Sequence, residues 1–101
     1  MSEKRRGKLE IIADILRSIQ SKNGRIKPTH LLYKSNLSHA KLKEYIDVLM
    51  KKGMIEEKQE KGKKMFLMKE LGYKFLLEFE RIKEFSDSFG LWIGLKQNNY
   101  L

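Results

Sequence analysis

Apolar residues recur three or four positions apart near the start of the chain, which is the spacing of one helix face. They predict a helix from about residue 8 to residue 21, with an apolar face made of Leu9, Ile12, Ile15, Leu16 and Ile19. Asn23-Gly24 tolerates positive φ and ends this helix. Residues 25–27 supply a short strand, and Pro28, which suits the first turn of a helix, begins a second helix that ends near Lys34.

A third helix and a hairpin follow. Ser38 offers a hydroxyl that can cap the third helix, and Gly53, directly after two lysines, is typical of the residue that ends one. Residues 54–59 and 64–68 read as two strands around the turn Glu60-Lys61-Gly62-Lys63. Two helices joined by a tight turn and followed by a hairpin predict a mainly α (α+β) fold, a winged helix-turn-helix.

The last third of the chain predicts a long helix, from Lys69 or Glu70 to Asp87 or beyond. Its apolar residues alternate in steps of four and three, which is the pattern of a coiled-coil seam. About twenty helical residues span roughly 30 Å, more than a small winged helix needs to cover its own core. The predicted interface of a homodimer is therefore Phe75, Phe79, Ile82, Phe85, Ser86, Phe89 and Ile93. Residues 1–68 are predicted to form the body, and residues 69–101 the dimerisation helix and tail.

Charge separates the same two regions. The 101 residues suit one small domain, and 22 Lys and Arg against 13 Asp and Glu give a net charge of +9. Residues 1–27 carry +5 and residues 28–68 carry +4, whereas residues 69–101 carry none. An excess this large on a short chain produces a basic surface and indicates an anionic partner.

Three clusters are predicted to contact double-stranded DNA. They are Lys4, Arg5, Arg6 and Lys8 in an amino-terminal arm, Ser38, His39, Lys41 and Lys43 in the third helix, and Lys58, Lys61, Lys63 and Lys64 in the hairpin. Neither that helix nor the hairpin contains arginine, the residue that most often reads guanine. Lysine is a compact charge without a planar fork, so the prediction is phosphate binding with little sequence preference.

Other classes of protein fit less well. The chain has no cysteine, which excludes disulfides and thiolate chemistry and fits a reducing cytoplasm. The longest apolar run, residues 65–68, is too short for a bilayer, and no signal peptide is expected. His30 and His39 lie on different helices without further ligands, so no metal, cofactor or small-molecule ligand is predicted. No nucleophile motif or glycine-rich phosphate loop is present, so the chain is not predicted to be an enzyme.

Several blocks together resemble a known family. They are residues 8–12, 36–40 and 53–55, the pair Phe66-Leu67, and Gly72 before the long last helix. Over residues 8–85 the chain resembles the small crenarchaeal chromatin-associated winged-helix proteins of the Sulfolobus "ten-a" type. The resemblance implies a homodimer in which two terminal helices form an antiparallel coiled coil, and a role in organising or bridging chromosomal DNA in the nucleoid.

One position departs from that family. Members often place a threonine before the last helix, but this chain has Met68 followed by Lys69, so the capping hydroxyl is missing. The last helix is therefore expected to begin late or to depend on packing.

Two alternative functions fit the same residues. A dimeric winged helix also suits a sequence-specific transcription regulator. A winged helix that binds only proteins would use its lysine excess for solubility.

Overall fold

The computed structural model describes residues 6–89. In chain order these form α1 (Lys8–Gln20), β1 (Arg25–Ile26), α2 (Pro28–Ser35), α3 (His39–Lys51), β2 (Ile55–Glu60), β3 (Lys63–Met68) and α4 (Glu70–Ser88). Every predicted element is present, with its ends within about two residues of the predicted ones. The fold is mainly helical with one small sheet, which confirms the predicted class.

Local chemistry fixes both ends of α3. The Ser38 hydroxyl oxygen accepts a hydrogen bond from the Lys41 N–H at 3.1 Å, which caps the first turn. At the other end Gly53 has a φ of 76°, and the Met54 N–H donates to the Leu49 carbonyl at 2.9 Å. This closing bond is that of a Schellman motif, so the predicted cap and stop of the third helix are both confirmed.

The three strands form one antiparallel sheet in the order β1-β3-β2. Ile55 pairs with Met68 at one end of the hairpin, and Glu60 pairs with Lys63 at the other. Lys61 and Gly62 form the two-residue turn between them, with φ values of 52° and 77°. Two positive φ angles in a two-residue hairpin loop are typical of a type I′ turn, whose twist matches that of the strands. The predicted hairpin tip is confirmed.

The core lies around α1, which packs against α2, α4 and β3. Its buried apolar members are Ala13, Ile15, Leu16, Ile19, Ile26, Leu31, Leu42, Ile46, Leu49, Ile55, Phe66, Met68, Leu76 and Phe79. The last two belong to α4, so the core continues past residue 68. The first half of α4 is therefore an integral part of the body.

The start of α4 depends on a close backbone approach. Lys69 provides no side-chain cap, as the sequence predicts, yet the helix begins at Glu70 without delay in the chain. The Lys69 N–H donates to the Met54 carbonyl at 2.9 Å. Gly72 packs over the same carbonyl, and a Cβ atom at Gly72 would lie 2.5 Å from it. Packing against the turn after α3 thus replaces the missing cap.

The structure corrects the predicted seam of α4. Phe79 is only 7% exposed and Phe75 packs against the core, so both contact their own chain. Ser86 is half-buried, and Ile93 lies outside the described residues. Ile82 and Phe85 remain 59% and 63% exposed. Phe79 therefore belongs to the core of a single chain and not to a surface that a second copy can cover.

Four of the seven predicted interface residues lie on a stripe of α4 that faces outward. It is defined here as the outer stripe and consists of Leu71, Phe75, Glu78, Ile82, Phe85 and Phe89. These positions also alternate in steps of four and three, and at about 3.6 residues per turn they share one side of the helix. The rings of Phe85 and Phe89 lie 5.0 Å apart between centroids, and Phe89 is 64% exposed. The outer stripe is an apolar surface that the single chain leaves largely uncovered.

Within residues 6–89, none of the helices has the length and apolar character needed to cross a membrane.

Candidate nucleic-acid interface

The tight turn between α2 and α3 sets the position of α3. Asn36 ends α2 in the left-handed conformation, with a φ of 59°. The buried Ser35 hydroxyl donates to the Leu32 carbonyl at 3.2 Å and accepts from the Leu37 N–H at 3.3 Å. These two bonds satisfy the buried polar atoms of the turn. The turn therefore holds α3 in one orientation, with one side of the helix exposed to solvent.

The solvent side of α3 has a ridge that is not basic. Leu42, Ile46 and Leu49 are buried, so the opposite side of the helix is outermost; that ridge consists of Ala40, Glu44, Asp47, Val48 and Lys51. The predicted Lys41 and Lys43 are exposed on its two flanks. Basic charge alone does not single out Ala40, Glu44 and Val48 in the sequence. Their position three or four residues from one another, opposite the apolar face, is the signal that could have found them.

Three lysines of this region each have an acidic partner. Lys41 lies 3.6 Å from Glu44, Lys43 lies 3.6 Å from Asp47, and Lys64 of the hairpin lies 3.8 Å from Glu57. We call the exposed side of α3 together with Glu57 and Lys64 the α3 face. With Lys51 of the ridge it carries four lysines and three carboxylates, a net charge of +1. The six paired groups are substantially exposed, so the pairs are weak and readily exchanged for a phosphate.

A cleft of about 260 Å³ separates α3 from the sheet. It is lined by Pro28, His39, Leu42, Lys43, Ile46, Asp47, Met50, Glu57, Lys64 and Phe66. The structure thus brings together three of the predicted residues, His39 and Lys43 from α3 and Lys64 from β3. An apolar floor with cations on both rims suits one phosphodiester strand, whose sugars are apolar and whose phosphates are anionic.

Other predicted hairpin residues lie elsewhere. Lys58 pairs with Met65 and Lys63 pairs with Glu60, so alternation places these side chains on the sheet face opposite Lys64. Lys61 is at the tip. The hairpin lysines therefore do not form one cluster, and only Lys64 adjoins α3.

The predicted arm is corrected at Arg6. Its guanidinium donates to the Asp14 carboxylate at 2.7 Å and to the Ser35 carbonyl at 3.1 Å. Asp14 also accepts from Arg17 at 2.7 Å, and Arg17 in turn donates to Glu80 of α4 at 2.7 Å. Arg6 therefore contacts α1 and α2, because both of its terminal nitrogens donate hydrogen bonds within the protein.

Of the remaining arm residues, only Lys8 is among the described ones. Lys8 is exposed, and Lys4 and Arg5 lie outside the described residues. Ser38 uses its oxygen as the cap of α3, which leaves its hydroxyl hydrogen to donate.

A helix-turn-helix whose second helix adjoins a two-stranded hairpin defines a winged-helix protein. Comparison with family models agrees: the winged helix-turn-helix model matches residues 5–87. The chain belongs to the winged helix-turn-helix family. No curated protein sequence matches it significantly.

Solved structures share the fold. Sso10a-2, a DNA-binding protein from Sulfolobus solfataricus, is similar with a TM-score of 0.72 and 24% identity, over 95% of this chain and 99% of that chain. F93 from STIV, a winged-helix DNA-binding protein, gives 0.64 and 17% over 79% and 92% of the two chains. SSV1 F-93 gives 0.58 and 23% over 77% and 91%.

Proposed function

We propose that this protein is a homodimer that binds double-stranded DNA with little sequence preference and organises or bridges chromosomal DNA. The observation that carries the proposal is the cleft between α3 and the hairpin, whose lining combines Lys43 of α3 and Lys64 of the hairpin with apolar side chains. Two of the similar structures described above are DNA-binding proteins by name. In this role the protein is cytoplasmic and associated with the nucleoid, like the proteins of the "ten-a" type. It binds DNA without catalysing a reaction.

In the proposed complex α3 enters the major groove. The ridge of α3 faces the base edges, while Lys41 and Lys43 on its flanks reach the phosphates on either side. Lys64 holds the strand that passes through the cleft, and Lys61 extends from the tip toward the next phosphates. Lys41, Lys43 and Lys64 each exchange a weakly bound carboxylate for a phosphate. Counterions are released from the DNA at the same time, which makes binding strongly dependent on salt.

Dimerisation is proposed through the outer stripe of α4. Ile82, Phe85 and Phe89 are each more than half exposed in the single chain and follow heptad spacing. A second copy of α4 with the same stripe would bury all three. The dimer carries two α3 faces, which is the arrangement that bridging or coating of DNA requires.

A second candidate function is sequence-specific regulation of transcription. The composition of the ridge favours it, because Glu44 can accept a hydrogen bond from a cytosine amino group and Ala40 and Val48 can contact thymine methyl groups. A footprint scan at about 150 mM salt separates the two functions. Specific affinity about a thousandfold above that for bulk DNA would replace the first proposal with the second.

Removal of the three paired lysines of the α3 face tests the site. We expect K41A/K43A/K64A to weaken binding to all duplexes alike, by roughly 10- to 100-fold at low salt. The slope of log affinity against log salt should fall by about 0.9 for each lost phosphate contact. Fluorescence anisotropy with a random duplex measures both quantities. K69A/K74A on α4 removes two exposed cations and should leave affinity nearly unchanged. No duplex binding by the wild type at about 50 mM salt would instead support the protein-interaction alternative.

Neutralising the acidic partners should have the opposite effect. We expect E44Q/D47N to raise affinity for random duplex about three- to tenfold, because Lys41 and Lys43 lose competing carboxylates and the phosphates lose two repelling charges. E70Q/E84Q on α4 makes the same charge change away from the site. Weaker binding by E44Q/D47N, confined to one preferred sequence, would show that Glu44 reads a base.

A further inference from the structure

The hairpin sheet has two faces of different charge. Residues paired directly across an antiparallel ladder point to the same side, and successive residues point to opposite sides. Glu57, Lys64 and Phe66 therefore face α3. Their position in the lining of the cleft agrees with this. The opposite side is defined here as the outer sheet face; it consists of Arg25, Glu56, Lys58, Glu60, Lys63, Met65 and Leu67, with Lys27 and Lys61 at its rim.

Much of the basic excess of the body lies on this outer sheet face. It carries five cations and two carboxylates, Glu56 and Glu60, which gives a net charge of +3, whereas the α3 face carries +1. Glu60 is already bound to Arg25 in an ion pair. Among residues 6–89, Lys27 and Lys63 have no carboxylate within ion-pair distance. The outer sheet face therefore presents more uncompensated positive charge than the α3 face does.

The outer sheet face also has a concave part. A shallow concavity of about 650 Å³ is lined by Arg25, Lys27, Glu60, Lys61, Lys63 and Met65. Cations from β1, β3 and the hairpin tip surround a half-buried apolar side chain, Met65. This combination provides charge for phosphates and an apolar surface for sugars. It contains no helix or ridge that could enter a groove and read bases.

We infer that the outer sheet face is a second phosphate-backbone site, which takes up a second DNA duplex. This inference rests on the proposed function, since it assigns a further surface to the same partner. The sheet lies between the two sites, because Lys64 and Lys63 extend from opposite sides of one strand. A duplex seated against α3 is therefore separated from the outer sheet face by the thickness of the sheet. Each protomer then holds two duplexes, and bridging does not depend on the dimer alone.

The number of duplexes bound per protomer tests the inference. We would saturate the full-length protein with a random duplex of about 12 base pairs, which is roughly 40 Å long, and measure stoichiometry by native mass spectrometry at low salt. The wild type should bind two duplexes per protomer. R25Q/K27Q, which removes two cations outside the α3 face, should bind one. K58Q/K63Q removes two from the other strands and should likewise bind one.

A capture assay provides a second readout. I82D/F85D places two carboxylates in the middle of the outer stripe and so suppresses bridging through the dimer. In this background, protein on an immobilised duplex should still capture a labelled second duplex. Adding R25Q/K27Q should lower that capture at least about fivefold. The control K69Q/K74Q removes the same charge from α4 and should not change it; an equal loss there would overturn the inference.

The remaining outcomes are distinct. One duplex per wild-type protomer, bound equally well by R25Q/K27Q, would show that the outer sheet face is unused. One duplex per protomer, bound more weakly by R25Q/K27Q, would show that both faces hold the same duplex, which also overturns the inference. In both cases the proposed DNA-binding function stands. No complex at about 50 mM salt would refute the proposed function itself.

Discussion

I82D/F85D should convert the proposed dimer into a folded monomer. Ile82 and Phe85 are 59% and 63% exposed in the single chain, so the substitutions leave its own core intact and change its stability by about 0.5 kcal/mol at most. In a dimer the same positions would place four carboxylates in an apolar seam, which is strongly unfavourable. Sedimentation should give the 12.0 kDa mass of one chain, against twice that mass for the wild type.

The same variant should lose affinity for long DNA. Two linked α3 faces bind one long duplex with an avidity that a monomer lacks, so the expected loss is about 100-fold or more. Affinity for a duplex too short for two protomers should stay within about twofold. L77D/S88D adds the same two charges to exposed positions of α4 outside the outer stripe and should remain dimeric. A monomeric wild type would refute the outer stripe as an interface.

Gly72→Ala should destabilise the fold by about 2–3 kcal/mol. The new Cβ atom would lie 2.5 Å from the Met54 carbonyl oxygen and 3.1 Å from the Met68 sulfur. The Met54 carbonyl is backbone and already accepts the Lys69 N–H, so relief of the clash moves the start of α4 away from the body. Overpacking of this kind costs more than the roughly 1 kcal/mol that alanine gains over glycine in a helix.

Thermal unfolding measures this effect. For a domain of this size the expected loss corresponds to a fall in Tm of roughly 10–20 °C. Gly53→Ala is the contrasting variant: Gly53 has open space around it, and its positive φ alone should cost about 1 kcal/mol. Equal Tm values for the two variants would show that the close approach at Gly72 adds nothing to the cost of the substitution.

Local chemistry explains what could be predicted from the sequence. The ends of α3 follow from Ser38 and Gly53, and the hairpin follows from Lys61-Gly62, because each signal acts within a few residues of where it is read. The missing cap at Lys69 was visible for the same reason. The contact that compensates for the missing cap could not be predicted, because the Met54 carbonyl that accepts from Lys69 lies 15 residues earlier in the chain.

Long-range contacts explain what could not be predicted. Helical spacing shows that α4 is apolar, but two adjacent stripes satisfy it, and only the packing of Phe79 against the core separates them. Arg6 looks like part of a basic arm until the fold brings Asp14 and Ser35, 8 and 29 positions away, to its guanidinium. The lysines of the hairpin were similarly grouped by sequence, although strand alternation sends Lys63 and Lys64 to opposite faces.

The guanidinium of Arg17 joins α1 to α4 through Asp14 and Glu80. This bridge adds to the packing of Leu76 and Phe79, which holds the first half of that helix against the body. In a dimer built on the outer stripe, the direction of α4 determines the distance and the angle between the two α3 helices. A side chain outside both proposed DNA-binding surfaces therefore contributes to the interval at which such a dimer would contact DNA.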